Sequence, residues 1–197
     1  MANMVIVQQL LSQGNGMFAA TQAAKAGLHR QQLADFVKSG ILERVERGIY
    51  ISPDGLDDAL FWMQKRAQKI VYSHETALFL HKMTSRTPIR YTITVPSSYK
   101  ASGALKKTCK IYYIKQELTD LGKTEKPSGM GHTIVTYDLE RTLCDIIRSR
   151  NKIDGQIVIE AVKNYAKNKE KDLHRLYTYA GNFGVEKLLH HYLEVLL

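Results

Sequence analysis

The chain has 197 residues, which is enough for one large domain or two small ones. Hydrophobic residues make up 44% and charged residues 24%, as in an ordinary soluble globular protein, and no run approaches ~20 consecutive apolar residues, which argues against a membrane span. The net charge of +9 and the pI of about 9.5 favour nucleic acid as a partner, although a basic chain can also gain only solubility from its charge.

The two cysteines, Cys109 and Cys144, lie far apart and show no metal-ligand spacing, so the sequence predicts neither a metal nor another cofactor. No basic segment precedes the partly apolar residues 4–11, which argues against a signal peptide. Two thiols without a secretory signal favour a reducing, cytoplasmic location.

The first forty residues contain three predicted helices. Residues 5–11 have apolar side chains at roughly helical spacing, and residues 21–26 are alanine-rich. Residues 28–37 carry an apolar stripe that ends at Gly40. Ala23 and Gly27 suit the close contact and the positive-φ turn of a helix-turn-helix, a pattern that a plain helical hairpin would also fit.

A predicted hairpin follows these helices. Residues 41–45 and 48–51 have the pattern of two short strands around a turn at residues 46–48. A strand pair directly after two such helices is typical of a wing, so the sequence predicts a winged helix-turn-helix that binds double-stranded DNA. A turn is predicted at residues 52–55, and a further helix from Asp57 or Asp58 to about Lys69.

The predicted reading surface lies at the start of the third helix. If Leu33, Phe36 and Val37 face the core, the first turn of that helix faces the major groove. In the major groove, an arginine side chain can make two hydrogen bonds to guanine, and a glutamine side chain can make two to adenine. The predicted base-reading residues are therefore His29, Arg30, Gln31 and Gln32. The predicted phosphate-contacting residues of this domain are Lys25, Lys38, Arg44 and Arg47.

Farther along, the pattern becomes a mixed α/β one. Ser73 is a predicted cap for a helix through Leu80, and residues 91–95, 110–114 and 133–136 are predicted strands. The segments between these strands, 97–108 and 119–131, are predicted loops, the second of them mobile. The chain from Asp138 onward is predicted to be helical, with breaks near residues 151–155, 168–172 and 181–184.

We therefore predict an α+β fold of two domains. The first, over residues 1–80, is a winged helix-turn-helix domain. The second, over residues 81–197, is a mixed α/β C-terminal domain with a small sheet and several C-terminal helices.

Five lysines crowd one stretch of the predicted second domain: Lys100, Lys106, Lys107, Lys110 and Lys115. We predict that Lys106 and Lys107 contact flanking DNA backbone and that lysines of this stretch help to bend the duplex. A solvated loop whose lysines keep edge strands soluble explains the same residues equally well.

The sequence predicts no catalytic site and no metal site. Residues of suitable chemistry are isolated from one another: His74, Glu75, Asp138, Glu140 and Asp145. Asp138 fits an N-cap, Glu140 and Arg141 fit the polar face of an amphipathic helix, and Asp145 fits a surface pair with Arg148. His190 and His191 fit an exposed helix face. No P-loop, HExxH or nucleophile elbow is present, and we predict that the protein is not an enzyme.

Four segments in order carry a family likeness: Leu42–Tyr50, Tyr72–Leu78, Tyr91–Pro96 and Asp138–Asp145. Their order and spacing resemble those of the AbiEi antitoxins of bacterial abortive-infection systems, over nearly the whole chain. The resemblance implies a repressor that binds inverted repeats in its own promoter. It also implies an antitoxin that counters a co-encoded nucleotidyltransferase-type toxin in a type IV arrangement, without a stable complex between the two proteins.

Two other functions compete with this one. One alternative is a ligand-responsive repressor without a toxin partner. The other is a nucleic-acid-processing enzyme in which the winged helix only brings the active site to its substrate. Helices over residues 157–197 carry more apolar surface than one hairpin needs, and the surplus would allow self-association on inverted repeats. The sequence leaves three ways of countering the toxin open: contact between the two proteins, competition for the toxin's substrate, and reversal of the damage that the toxin causes.

Overall fold

The computed structural model describes residues 2–14, 16–53 and 58–196. The chain divides into two compact units, the first made of residues 1–59 with 129–132 and the second of residues 60–128 with 133–197. The predicted boundary at residue 80 thus differs from the division between the units. Residues 71–72 form a strand that pairs with strands on both sides in the sheet of the second unit, which draws residues 60–80 into that unit.

The first unit alternates short helices and strands: α1 (Ala2–Gln13), β1 (Met17–Ala19), α2 (Ala20–Lys25), α3 (Arg30–Lys38), β2 (Glu43–Glu46) and β3 (Ile49–Ile51). Its antiparallel sheet has the order β1-β3-β2. The three predicted helices and the hairpin are confirmed, whereas β1 was not predicted because three residues are too few to show a strand pattern. The predicted turn at 52–55 and the start of the next helix fall partly on residues 54–57, outside the described residues.

A small apolar core holds the three helices of the first unit together. Ala23 is fully buried, and its carbonyl oxygen accepts a hydrogen bond of 2.9 Å from the backbone N–H of Leu28. Gly27 lies between them with φ +87°, a conformation that residues with a Cβ rarely adopt. The remaining core side chains are Val7, Phe18, Leu33, Leu42 and Tyr50. The turn therefore sets the direction in which α3 leaves the core.

The second unit consists of a sheet and helices. The helices are α4 (Ala59–Arg66), α5 (His74–Leu80), α6 (Gly103–Thr108), α7 (Leu139–Arg148), α8 (Gly155–Lys167), α9 (Leu173–Phe183) and α10 (Glu186–Leu196). The strands are β4 (Val71–Tyr72), β5 (Tyr91–Pro96), β6 (Cys109–Ile114), β7 (Lys123–Pro127) and β8 (Thr133–Tyr137). The sheet order is β6-β5-β4-β8-β7, with β5–β6 and β4–β8 parallel and the other pairs antiparallel. The α+β fold class is confirmed.

Both predicted loops of the second unit contain regular structure. Residues 97–108 include α6, and residues 119–131 include β7, which pairs along its whole length with β8. The prediction of a mobile loop at 119–131 was therefore wrong for β7. This strand carries lysine, threonine, glutamate and proline at alternately exposed and half-buried positions, so no apolar alternation marks it in the sequence.

Arg141 of α7 is fully buried, contrary to the predicted polar face. Its Nη1 atom donates hydrogen bonds to the carbonyl oxygens of Leu118 (2.9 Å) and Leu121 (2.6 Å), and its Nε atom donates to Asp145 Oδ2 (3.0 Å). The rings of Tyr137 and Phe183 lie 3.9 and 4.2 Å from the guanidinium carbon. The predicted surface pair of Asp145 is thus replaced by a buried ion pair.

Gly122 passes directly beside Arg141. It has φ +75°, and a Cβ atom there would lie 2.6 Å from the Cβ atom of Arg141. Its carbonyl oxygen accepts a hydrogen bond of 2.7 Å from the N–H of Asp138. Asp138 is the N-cap of α7 as predicted, because its Oδ1 atom accepts a hydrogen bond of 2.8 Å from the N–H of Arg141.

His74 begins α5 with a left-handed backbone, φ +47°, and is buried. Ser73 precedes His74. We predicted that the Ser73 hydroxyl caps the helix, but it makes no capping hydrogen bond. That hydroxyl instead contacts Nδ1 of His74 at 2.9 Å, while Nε2 lies 3.0 Å from the Ser149 hydroxyl. Burial, and then the positive charges of Lys110, Arg141 and Arg148, lower the pKa of His74 well below its usual range. Two hydroxyl partners suit the neutral ring, because each can donate or accept.

We expect Arg141→Ala to lower the free energy of unfolding by about 3–5 kcal/mol, because the variant leaves Asp145 as an unpaired buried charge. Arg148→Ala, at an exposed position of the same helix, should change it by less than about 0.5 kcal/mol. Urea denaturation followed by circular dichroism measures both. A loss for Arg141→Ala no larger than that for Arg148→Ala would contradict the structural role of the buried guanidinium.

The lowered pKa of His74 predicts a pH-dependent stability. The folded protein binds this proton more weakly than the unfolded chain, whose histidine pKa is about 6.5. The stabilising contribution is complete above that value and is lost as the pH falls toward the folded pKa, at up to about 1.4 kcal/mol per pH unit. His74→Asn removes the titrating group but tolerates the left-handed backbone. Urea unfolding at pH 7.5 and 5.5 should therefore show a smaller decrease for the variant, and equal decreases would contradict the assignment.

Candidate nucleic-acid interface

The first turn of α3 presents polar side chains to solvent. Leu33 is buried, and Phe36 and Val37 are half-buried, so the opposite face of the helix points away from the core. His29, at the N-cap, and Arg30 and Gln31, in the first turn, are all exposed. The helix therefore projects a contiguous polar surface from its N-terminal end.

The two glutamines of this turn differ in their contacts. Gln32 is half-buried, and its Oε1 atom accepts a hydrogen bond of 2.7 Å from the N–H of His29. This bond satisfies a backbone donor that the start of a helix leaves without an intrahelical partner. Gln31 is exposed, and its Nε2 atom donates to Asp35 Oδ1 at 3.2 Å. Asp35 was not among the predicted site residues, although its spacing of four residues from Gln31 was an available signal.

Four more basic residues of the first unit are exposed around this helix. Lys25 lies in the last turn of α2 and Lys38 in the last turn of α3. Arg44 is on β2, where its Nε atom donates to the carbonyl oxygen of Glu46 at 3.3 Å, and Arg47 is in the hairpin turn. Their long side chains can reach phosphate oxygens without reading bases.

The lysine-rich stretch of the second unit separates into two kinds of residue. Lys106 and Lys107 are exposed in the last turn of α6, and Lys100 and Lys115 are also exposed. Lys110 is half-buried, because its Nζ atom lies 3.6 Å from Glu75 Oε1 and donates to the carbonyl oxygen of Lys152 at 2.9 Å. The half-buried Lys110 therefore supports the fold.

The isolated polar residues of the second unit have structural partners. Glu140 is buried, and its Oε1 atom accepts hydrogen bonds from the Tyr165 hydroxyl (3.1 Å) and the N–H of Asp172 (3.0 Å). Burial raises the pKa of Asp145, and the Arg141 guanidinium opposes that rise. Among residues 2–14, 16–53 and 58–196, no group of three or more histidine, cysteine, aspartate and glutamate side chains is arranged to hold a metal ion.

The structure also bears on the predictions for the histidines of α10 and for membrane-spanning helices. His190 and His191 are exposed on α10, as predicted. In the part of the chain that the structure describes, no helix has the length and apolar character needed to cross a membrane.

Comparisons with known proteins agree with this geometry. Residues 6–53, which cover the helix-turn-helix and the hairpin, match the family model described as "Transcriptional regulator, AbiEi antitoxin". A search of curated proteins gave no match. The fold is similar to that in the crystal structure of the RV2827C protein from Mycobacterium tuberculosis, with a TM-score of 0.68 and 14% identity over 96% of this chain and 75% of that chain. The first unit is thus similar to a transcriptional-regulator family, and the solved structure shows a similar fold.

Proposed function

We propose that this protein represses its own promoter by binding inverted repeats and acts as an antitoxin against a co-encoded nucleotidyltransferase-type toxin. The observation that carries the DNA-binding part is the exposed first turn of α3, which follows a glycine turn and precedes a hairpin. The match of residues 6–53 to a transcriptional-regulator model supports the same function for the same segment.

Base recognition is assigned chiefly to Arg30 and Gln31. The guanidinium of Arg30 matches O6 and N7 of guanine, and the amide of Gln31 matches N6 and N7 of adenine. Gln32 is a weaker candidate than Gln31, because its carbonyl oxygen is held by the backbone of His29. His29 lies at the helix start and contacts the neighbouring base or its phosphate.

Phosphate contacts are assigned to basic residues on either side of the reading helix: Lys25, Lys38, Arg44 and Arg47. These contacts set the register of the protein on the duplex but carry no sequence information. Contacts with flanking DNA backbone are assigned to Lys106 and Lys107 of the second unit. Two copies of the protein occupy one pair of inverted repeats, because each copy has one reading helix.

The antitoxin part rests on the likeness to AbiEi antitoxins. We assign it to the second unit, because the reading helix and the wing both belong to the first unit. The toxin is expected to be a nucleotidyltransferase-type protein encoded beside this one, and the two proteins are expected to form no stable complex.

We predict that Arg30→Ala and Arg47→Ala weaken DNA binding in different ways. Loss of a bidentate base contact costs about 1–3 kcal/mol, or roughly 5- to 150-fold in affinity for the preferred sequence, and relaxes the preference at that base. Loss of a phosphate contact weakens all sequences alike and reduces the salt dependence. Gel shifts with promoter DNA and a scrambled duplex, at two salt concentrations, measure both. Unchanged promoter binding by Arg30→Ala would overturn its assignment.

A genetic experiment separates repression from neutralisation. Arg30→Ala should raise expression from a reporter under the protein's own promoter, because base contacts are lost. The same variant should still protect cells that express the neighbouring toxin gene, because its second unit is intact. Wild-type protein and an equal-expression check by immunoblot are the controls. Loss of protection at equal protein level would contradict the assignment of the antitoxin function to the second unit.

A further inference from the structure

β6 forms one edge of the five-stranded sheet in the second unit, and the proposed regulator function does not use it. Its inner side pairs with β5 over all six of its residues, from Cys109 to Ile114. Among the described residues, no strand pairs with its outer side. A strand at a sheet edge presents N–H and C=O groups with which another extended chain can pair. Whether β6 can do so depends on where its main-chain groups point.

The pairing with β5 shows which main-chain groups of β6 point outward. The carbonyl oxygen of Ile114 accepts a hydrogen bond of 2.7 Å from the N–H of Ser97, which directly follows β5. In a parallel pair, residues that bond to the neighbouring strand alternate with residues whose N–H and C=O groups point away from it. The even-numbered residues of β6 therefore face β5, and the odd-numbered residues face outward.

Two of the outward-facing residues have free main-chain groups. The carbonyl oxygen of Cys109 is already held by Arg90, whose Nη2 atom donates to it at 2.7 Å. The outward N–H and C=O groups of Ile111 and Tyr113 have no hydrogen-bond partner among the described residues. Two donors and two acceptors are thus available on the outer side of β6.

The lysine of β6 does not shield this edge. Lysine side chains that project from an edge strand prevent other chains from pairing with it. The Nζ atom of Lys110, however, lies 3.6 Å from Glu75 Oε1 and donates to the carbonyl oxygen of Lys152 at 2.9 Å. Its ammonium group is therefore engaged within the second unit.

A cavity of about 380 Å³ adjoins the same strand. Its lining includes residues 111–114, His74 and, on the opposite wall, the end of α7 with the following turn. Thr94 and Tyr112 are partners in the register of β5 and β6, so their side chains share the face of the sheet that lines the cavity. The side chains of residues 111 and 113 lie on the other face, so these residues contribute main-chain atoms to the lining. Every second side chain of an added strand would point to the same face as the cavity.

The surroundings of this edge are basic. Exposed cations lie in the cavity lining and beside both ends of β6: Arg148, Lys152, Lys106, Lys107 and Lys115. The carboxylate in the lining, Asp145, is paired with Arg141, and Glu117 offsets only Lys115, at 3.9 Å. This excess of positive charge favours an acidic partner and opposes pairing with the same edge of a second copy.

We propose that β6 binds an extended, acidic segment of another protein, which adds to the sheet as a further strand. The main chain of that segment pairs with Ile111 and Tyr113, and its acidic side chains are attracted by the surrounding cations. A peptide fits this edge better than a nucleic acid, because a peptide backbone carries donors and acceptors at the spacing of a strand. The inference concerns the second unit and does not depend on the base-reading residues of the first.

Selection from a phage-displayed library of random ten-residue peptides, on the immobilised full chain, supplies the ligand for the test. We expect enrichment of peptides with acidic residues at alternate positions and no proline at the centre, because a central proline removes a pairing N–H. The most enriched peptide is then synthesised with a fluorescent label, and its affinity is measured by anisotropy. Absence of enrichment, or enrichment of basic or proline-rich peptides, would overturn the proposal.

Hydrogen exchange followed by NMR locates this peptide on the full chain. With saturating peptide, the amides of Ile111 and Tyr113 should exchange at least about tenfold more slowly, because they then donate to the added strand. The amide of Tyr112 faces β5 and should change less. Binding of the peptide without added protection at residues 111 and 113 would overturn the proposal.

Two variants at one position separate the main chain from the side chain. Tyr113→Pro removes an outward N–H without removing a bond to β5, a position at which edge strands tolerate proline. It should bind the peptide at least about fivefold more weakly. Tyr113→Ala is the matched control, because it keeps the N–H and removes only the ring on the other face, and it should bind within about twofold of the wild type. Equal loss in both variants, with thermal melting showing both folded, would contradict main-chain pairing. The exchange experiment needs no variant and decides the question if Tyr113→Pro does not fold.

Charge variants and two further measurements distinguish the occupants. Arg148→Ala/Lys152→Ala should weaken peptide binding at least about threefold at low salt. Lys167→Ala/Lys169→Ala, which removes the same charge from exposed positions outside the cavity, should not. Equal weakening by both double variants would show attraction to the basic chain as a whole and overturn the site. Sedimentation that shows a dimer dissociated by Tyr113→Pro would assign the edge to a second copy. A single-stranded oligonucleotide that protects the amides of residues 111 and 113 would assign it to nucleic acid, and either result would overturn the proposal.

Discussion

The second unit depends on one buried cation. A guanidinium that is fully removed from water needs a counter-charge and hydrogen-bond acceptors in the interior. Arg141 has partners from four separate places: Asp145 on its own helix, the 118–121 segment, Tyr137 at the end of β8 and Phe183 at the end of α9. Its Nη2 atom is buried without a hydrogen-bond partner among the described residues. These elements are therefore tied to one another through a single side chain, and Gly122 is required where the backbone passes beside it.

This constraint extends to the cavity. Asp145 is held by Arg141, and the next turn of the same helix carries Arg148 and Ser149 to the cavity wall. Ser149 in turn contacts His74, which stacks on Tyr112 of the edge strand. A site built on helix and strand residues whose side chains are already engaged keeps its geometry without a ligand. This wall of the cavity is thus held in place by the buried ion pair.

The two units form their candidate sites in different ways. The reading surface of the first unit comes from consecutive residues, because a helix whose Leu33 faces the core must expose the first-turn residues on its other side. The cavity of the second unit joins His74, Tyr112 and Arg148, which are far apart in the chain. A local pattern therefore carries the proposed DNA-binding function, whereas a non-local arrangement forms the cavity.

The sequence by itself determined the helices other than α6, the hairpin with its turn, the α+β class and the candidate reading residues, because helical spacing and glycine positions are local signals. Only the tertiary structure decided that β7 is a strand, that residues 60–80 belong to the second unit, and that Arg141 and Asp145 lie in the interior. Spacing shows that these two residues can pair on one helix, but burial depends on carbonyl oxygens and rings contributed by distant segments. The polar residues of β7 likewise become a strand only because β8 offers them hydrogen-bond partners.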